Sequence, residues 1–163
     1  MNPLSSSALS SRGRPDMANV QLCTFVVGDQ WFGLPVTDVQ EVMRAQAMTR
    51  VPRAPKHVSG LIHLRGQIAT AIDMRVRLGV PPAPADAERF NMMVADGDHG
   101  VVSLIVDLIG DVLELGDARF EHTPAPLAVV FGEAVRGVYK LDDKLLLLLD
   151  VRNVIHPKPK AEA

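Results

Sequence analysis

Five histidines, one serine inside an apolar run, three carboxylates at the ends of such runs and one cysteine are the residues here whose types could do chemistry. A zinc centre needs histidines at close helical spacing, as in HxxxH or HExxH, and His57, His63, His99, His122 and His156 form neither pattern. His63 falls in an apolar segment, where a structural histidine is far commoner than a ligand. Ser103 lies in Val101-Val102-Ser103-Leu104-Ile105 without the glycines of a nucleophile elbow, so it reads as a strand residue. Asp73, Asp107 and Asp150 each close an apolar run, and helix capping or turn formation accounts for them. No GxGxxG or GxxxxGK(S/T) loop offers a phosphate cradle. Cys23, within Leu22-Cys23-Thr24-Phe25-Val26-Val27, reads as a small core residue. The residues therefore predict no catalytic constellation, no cofactor site and no metal site.

Composition narrows the partners. Net charge is −2, from 17 basic and 19 acidic residues, and aromatic content is 4%. Neither a basic stripe nor a stacking platform is present, so nucleic acid is not expected as a partner. A single cysteine excludes an intramolecular disulfide and fits a reducing compartment. No segment reaches the ~18 apolar residues of a membrane span, so direct membrane insertion is not expected. The Ser-rich stretch 1–19 carries its arginines late and lacks an apolar core, unlike a secretory signal, and reads as a disordered tail. The expected location is cytoplasmic.

What must position these residues is a set of short apolar runs separated by Gly, Pro and Asp: 22–27, 31–36, 48–52, 60–64, 67–72, 91–95, 101–106, 135–140 and 145–149. Gly28-Asp29 and the segment 96–100 read as hairpin turns. Three short helices are expected. Thr37 would cap Asp38–Met43, Asp73–Leu78 would stop at Gly79, and Asp150–Ile155 would stop at Pro157. Helices this short cannot build a core, so the fold class is all-β with a few short helices, arranged as a barrel. The Pro- and Ala-rich loop 80–87 divides the strands into two groups.

The stretch from Phe25 to Gly79 carries a resemblance. It runs Phe25-Val26-Val27-Gly28-Asp29-Gln30-Trp31-Phe32-Gly33-Leu34-Pro35-Val36, then Val39-Gln40-Glu41-Val42, then Thr49-Arg50-Val51-Pro52-Arg53-Ala54-Pro55. Val58-Ser59-Gly60-Leu61-Ile62-His63-Leu64-Arg65-Gly66 follows, with Ile72-Asp73-Met74-Arg75 and Leu78-Gly79 after it. This order resembles the CheW family, adaptor proteins of bacterial chemotaxis, over about 20–155. The family usually has Asn where His63 stands and Leu where Met74 stands, both mild departures.

The resemblance implies two SH3-like barrels within one domain at 20–156, the first formed by about 20–66 with 140–156 and the second by about 67–139. A short C-terminal tail, 157–163, completes the chain. It implies a non-enzymatic scaffold that joins the histidine kinase CheA to the cytoplasmic tip of a methyl-accepting chemoreceptor, at receptor arrays on the inner face of the membrane. With no kinase module before it and no receiver domain after it in this sequence, the free-standing adaptor is the expected form. An adaptor of a related pathway controlling pili or a second messenger, and an OB-like oligonucleotide binder, are the alternatives. Arg65, Val39, Glu41 and Gly60 match positions near the family's partner contacts. The kinase contact is expected on the first barrel's exposed apolar surface and the receptor helix in the groove between barrels. Taken on its own, Arg65 follows an apolar strand and precedes Gly66, which suits a strand end or bulge. Its guanidinium would reach either a partner's carboxylates or, internally, Glu41 or Asp73. Val39 would be core or contact, Glu41 a solvated charge or a contact, and Gly60 a residue permitting close backbone approach.

Overall fold

The structure, a computed structural model, describes residues 20–97, 100–116, 118–142 and 144–157. The expected N-terminal tail, and all of the C-terminal one except Pro157, lie outside these residues. Eleven strands are described: β1 (Gln21–Val27), β2 (Gln30–Pro35), β3 (Val39–Arg44), β4 (Val58–Leu64), β5 (Gln67–Asp73), β6 (Phe90–Ala95), β7 (Val101–Val106), β8 (Leu108–Glu114), β9 (Arg119–Glu121), β10 (Val135–Leu141) and β11 (Lys144–Leu149). Three short helices accompany them: α1 (Met74–Arg77), α2 (Ala125–Phe131) and α3 (Val151–Ile155). The mainly-β expectation holds.

The strands form two sheets, one ordered β8-β1-β2-β11-β10-β9 and the other β3-β6-β7-β5-β4. The second sheet is therefore an insertion into the first, entered through Val36–Asp38 and left at Asp107. This corrects barrel boundaries at 66/67 and 139/140. Leu64 pairs with Gln67 across Arg65 and Gly66, so a cut there would split a two-residue hairpin, and a cut at 139/140 would split β10.

Between the sheets lies one shared core. Phe25, Phe32, Leu34, Leu147 and Leu149 of the first sheet meet Ile72, Met92, Val94, Leu104 and Val106 of the second, all buried. Each such side chain contributes roughly 1.5–3 kcal/mol by leaving water. Phe32 stacks on Phe25 at 5.8 Å and meets Phe131 of α2 edge-on at 5.7 Å. The run of leucines in β11 has a simple cause. Leu147 and Leu149 face the shared core, while Leu146 and Leu148 join Leu22 and Tyr139 on the other face of the same sheet. A strand buried on both faces needs apolar residues at consecutive positions.

Two expectations about elements are corrected, and one strand was missed. Residues 39–43 lie in β3 rather than in a helix, and Thr37 and Asp38 belong to a single 3-10 turn that no side chain caps. Val39, Glu41 and Met43 are half-buried while Gln40, Val42 and Arg44 are exposed, a period of two set by antiparallel pairing with β6. The expected strand at 48–52 is a single bridge from Thr49 to Leu61. Strand β8 was not among the expected runs; its Gly110 and Asp111 lie at a bulge opposite Thr24, whose hydroxyl donates to the Asp111 carbonyl at 2.6 Å.

Candidate functional site

Arg65 and Gly66 occupy the tip of the β4–β5 hairpin, at φ of 53° and 79°. Positive φ at both central residues is the signature of a type I′ turn, which favours Asn-Gly. Arg65 is thus in a turn rather than at a bulge, and its backbone adopts a conformation that costs a Cβ-bearing residue about 1 kcal/mol. Its side chain is 72% exposed, and one guanidinium nitrogen, Nη1, donates to Oε1 of Glu41. Glu41, and not Asp73, is the internal partner. Glu41 lies on β3 and Arg65 between β4 and β5, so the ion pair joins the two ends of the second sheet. Beside it is a small cleft of about 230 Å³ lined by Gln40, Glu41, Leu64, Arg65 and Met93. Ile68, 59% exposed, and Val42 add apolar surface nearby in sequence.

The other two candidate residues are not brought to this pair. Val39 packs, half-buried, against the shared core. Gly60 is buried in β4, and a Cβ there would lie 2.5 Å from the Thr49 carbonyl oxygen. Thr49 and Leu61 exchange both backbone hydrogen bonds, at 2.9 and 2.8 Å, directly alongside. Gly60 therefore permits the 45–57 segment to lie on β4.

Two further surfaces were expected, but their residues were not identified from sequence. On the first sheet, Leu108, Val112 and Leu145 are exposed, and Trp31 stands beneath the Lys144 ammonium at 6.0 Å. Between the sheets, a groove of about 670 Å³ is lined by Asp38 and Asp96 on one side and by Arg136, Asp150, Arg152 and His156 on the other. Desolvation pushes the Asp38 carboxyl upward, against the opposing pull of Arg136.

The remaining chemically capable residues are absorbed by the fold. Ser103 is buried and accepts a hydrogen bond from Asn91 Nδ2 at 2.7 Å. Cys23 is half-buried, and burial pushes its thiol up, away from the reactive thiolate. Asp73 and Asp150 cap α1 and α3 by accepting backbone N–H bonds from Arg75 and Asn153. Asp107 caps no helix; it accepts from Arg75 and from the Gly28 amide. Among the described residues no cluster of three His, Cys, Asp or Glu side chains is placed to hold a metal ion, and no helix is long and apolar enough to cross a membrane.

Asp73 gives a pH prediction. Burial alone would raise its carboxyl, but the Arg89 fork at 3.0 and 3.1 Å and the Arg75 and Val76 amides outweigh it and hold the group below the usual carboxylate value. A depressed folded pKa contributes stability above the unfolded value of about 3.9, and that contribution is lost as pH falls through the folded one. Asp73→Asn is expected to be less stable than the parent at pH 7 and to converge on it below pH about 4. Melting curves across that range test this; a deficit that does not change with pH would show that the charge of Asp73 contributes nothing.

The CheW-like domain family matches residues 21–158. The chain is 32% identical over 143 residues to the chemotaxis protein CheW of Rhizobium meliloti, covering 88% of this chain and 91% of that one. It is 31% identical over 131 residues to a probable chemotaxis protein CheW of Rhizobium etli, covering 80% and 84%. Among solved structures, the scaffolding protein TtCheW from Thermoanaerobacter tengcongensis superposes with a TM-score of 0.75 at 26% identity, over 83% of this chain and 92% of its own.

Proposed function

Because the chain belongs to the CheW-like domain family, we propose that it joins the histidine kinase CheA to the cytoplasmic tip of a methyl-accepting chemoreceptor. It is a non-enzymatic adaptor of chemotaxis signalling, built from two SH3-like subdomains. It acts in the cytoplasm, at receptor arrays on the inner face of the membrane. Arg65 and Glu41 would form the centre of one contact. The exposed apolar face of the first sheet, around Leu108, Val112 and Leu145, would meet the kinase, and the groove between the sheets would take the receptor helix.

The observation that supports this most is Arg65 itself. A long cation holds a turn position that Asn fills with less strain, and is exposed while doing so. Local rules broken without a stability gain mark places where function sets the residue. Binding to two surfaces at once would let a receptor conformational change bias the kinase.

Mixing the purified chain with CheA and a receptor cytoplasmic fragment tests the reading. A ternary complex of micromolar affinity is expected, in keeping with transient signalling contacts at or below the standard interface size of about 1,600 Å². ATP hydrolysis by the chain alone, or failure to bind either partner, would overturn it.

A further inference from the structure

We propose that Asp107, held by Arg75 and Arg89, is a positioning joint that fixes the angle between the two sheets and hence the relation between the surfaces they carry. Its purpose rests on the adaptor reading; its geometry does not.

The chain passes between the sheets twice, and Asp107 is the single residue between β7 of the second sheet and β8 of the first. Its backbone N–H donates to the Val26 carbonyl of β1 at 3.0 Å. Its carboxylate accepts the Gly28 amide of the β1–β2 turn at 2.7 Å, which ties it to the first sheet a second time. The same carboxylate takes Arg75 Nε at 3.1 Å and Nη2 at 2.8 Å, from the helix that continues β5 of the second sheet. Arg75 Nη1 goes on to the Pro81 carbonyl at 2.7 Å. Arg89, just before β6, forks onto Asp73 and leaves its Nε 3.7 Å from Asp107, buried and without a hydrogen bond. One carboxylate therefore holds a turn of the first sheet and faces two arginines of the second. All four side chains are only 15–19% exposed.

The shared apolar core holds the sheets together but is non-directional. Charge-assisted bonds in bidentate geometry carry the directional information that the core lacks. They are densest where Asp107, Arg75, Arg89 and Asp73 meet; Arg77 adds bonds to the Asn153 and Val154 carbonyls of α3 at 2.7 and 2.9 Å. At the far end of β6 and β7 the groove opens, and a crossing contact there, His156 to Asp96 at 3.0 Å, is made by a half-exposed histidine. With the Asp107 charge removed, the sheets lose the densest of the contacts that fix their angle.

Spin labels at Glu114→Cys on β8 and Ile68→Cys on β5, in a Cys23→Ser background, report the inter-sheet distance by pulsed electron resonance on the full chain with no partner present. A Gln40→Cys and Ile68→Cys pair, both within the second sheet, is the control. Asp107→Asn keeps an acceptor for Gly28 but loses the charge that faces both arginines. Its inter-sheet distance distribution is expected to widen at least twofold while the control pair is unchanged. Arg75→Lys keeps the charge but not the fork, is expected to do the same, and decides the matter if Asp107→Asn does not fold. An unchanged inter-sheet distribution in the folded variants, or equal broadening of both pairs, overturns the joint. Since no partner is in the sample, that result leaves the adaptor reading standing, and failed kinase binding leaves the joint standing.

Discussion

Arg65→Glu is expected to melt within about 3 °C of the parent and yet to lose partner assembly by roughly 30-fold or more. The two magnitudes come from different surroundings. In the free chain the Arg65 side chain is mostly in water, and an exposed pair with Glu41 is worth ~0–1 kcal/mol, or about 2–4 °C per kcal/mol for a chain of this size. At a desolvated partner contact the reversal leaves a charge unpaired, at a cost of about 2–5 kcal/mol. Glutamate suffers the same strain at φ 53° as arginine does, so the backbone term cancels. Arg65→Asn makes the comparison sharper. Asparagine suits the first position of a type I′ turn, so this variant is expected to be as stable as the parent or more so, and still to lose assembly. Melting temperatures and complex formation with kinase and receptor fragments, measured on the same preparations, test both. A large fall in melting temperature for Arg65→Asn would make the Glu41 pair a fold requirement. Intact assembly in both variants would remove Arg65 from the contact.

The two strands that flank Arg65 were legible as apolar runs at 60–64 and 67–72, but the hairpin that joins them was not, and Arg65 was expected at a strand end or bulge. Arginine is a poor type I′ residue, so nothing local announced positive φ at that position. The internal partner was legible only as a choice, because Glu41 and Asp73 are equally far from Arg65 in terms of type. Strand pairing decided between them: curling the second sheet brings β3 to the β4–β5 turn, and Asp73 sits at the far end of β5, engaged by Arg89. The segment 38–43 was misread as a helix because Val39, Val42 and Met43 also fit a helical face, and only the open edge of β6 selects the period of two. Three members of the Asp107 cluster were named from sequence, Asp73 and Asp107 as carboxylates that close apolar runs and Arg75 in Ile72-Asp73-Met74-Arg75, but not their meeting. Arg89 and Asp107 lie 14 and 32 residues beyond Arg75, and no pattern in a single sequence links positions that meet only in three dimensions.

Gly60 is where a contact reading and a packing reading of the same residue give different numbers. Gly60→Ala is expected to lower the melting temperature by about 5–15 °C, the largest loss among these variants. A Cβ would sit 2.5 Å from the Thr49 carbonyl oxygen and 3.1 Å from its carbon, both backbone atoms that cannot rotate away. Either β4 or the 45–57 segment must then move. Overpacking of this kind costs about 1–3 kcal/mol. The paired hydrogen bonds between Thr49 and Leu61 lie directly alongside and would stretch, adding ~0.5–1.5 kcal/mol for each one lost. The sum is about 2–6 kcal/mol, which at about 2–4 °C per kcal/mol spans roughly 4–24 °C, and the predicted range is its middle part. Binding should then track folding: cooled until it is fully folded, the variant is expected to recover most of its partner affinity, because the alanine methyl points at Thr49 and not at solvent. Arg65→Asn is expected to show the opposite pattern, stable and non-binding at every temperature. A Gly60→Ala protein that melts like the parent while failing to assemble would place Gly60 in the interface and displace the packing account.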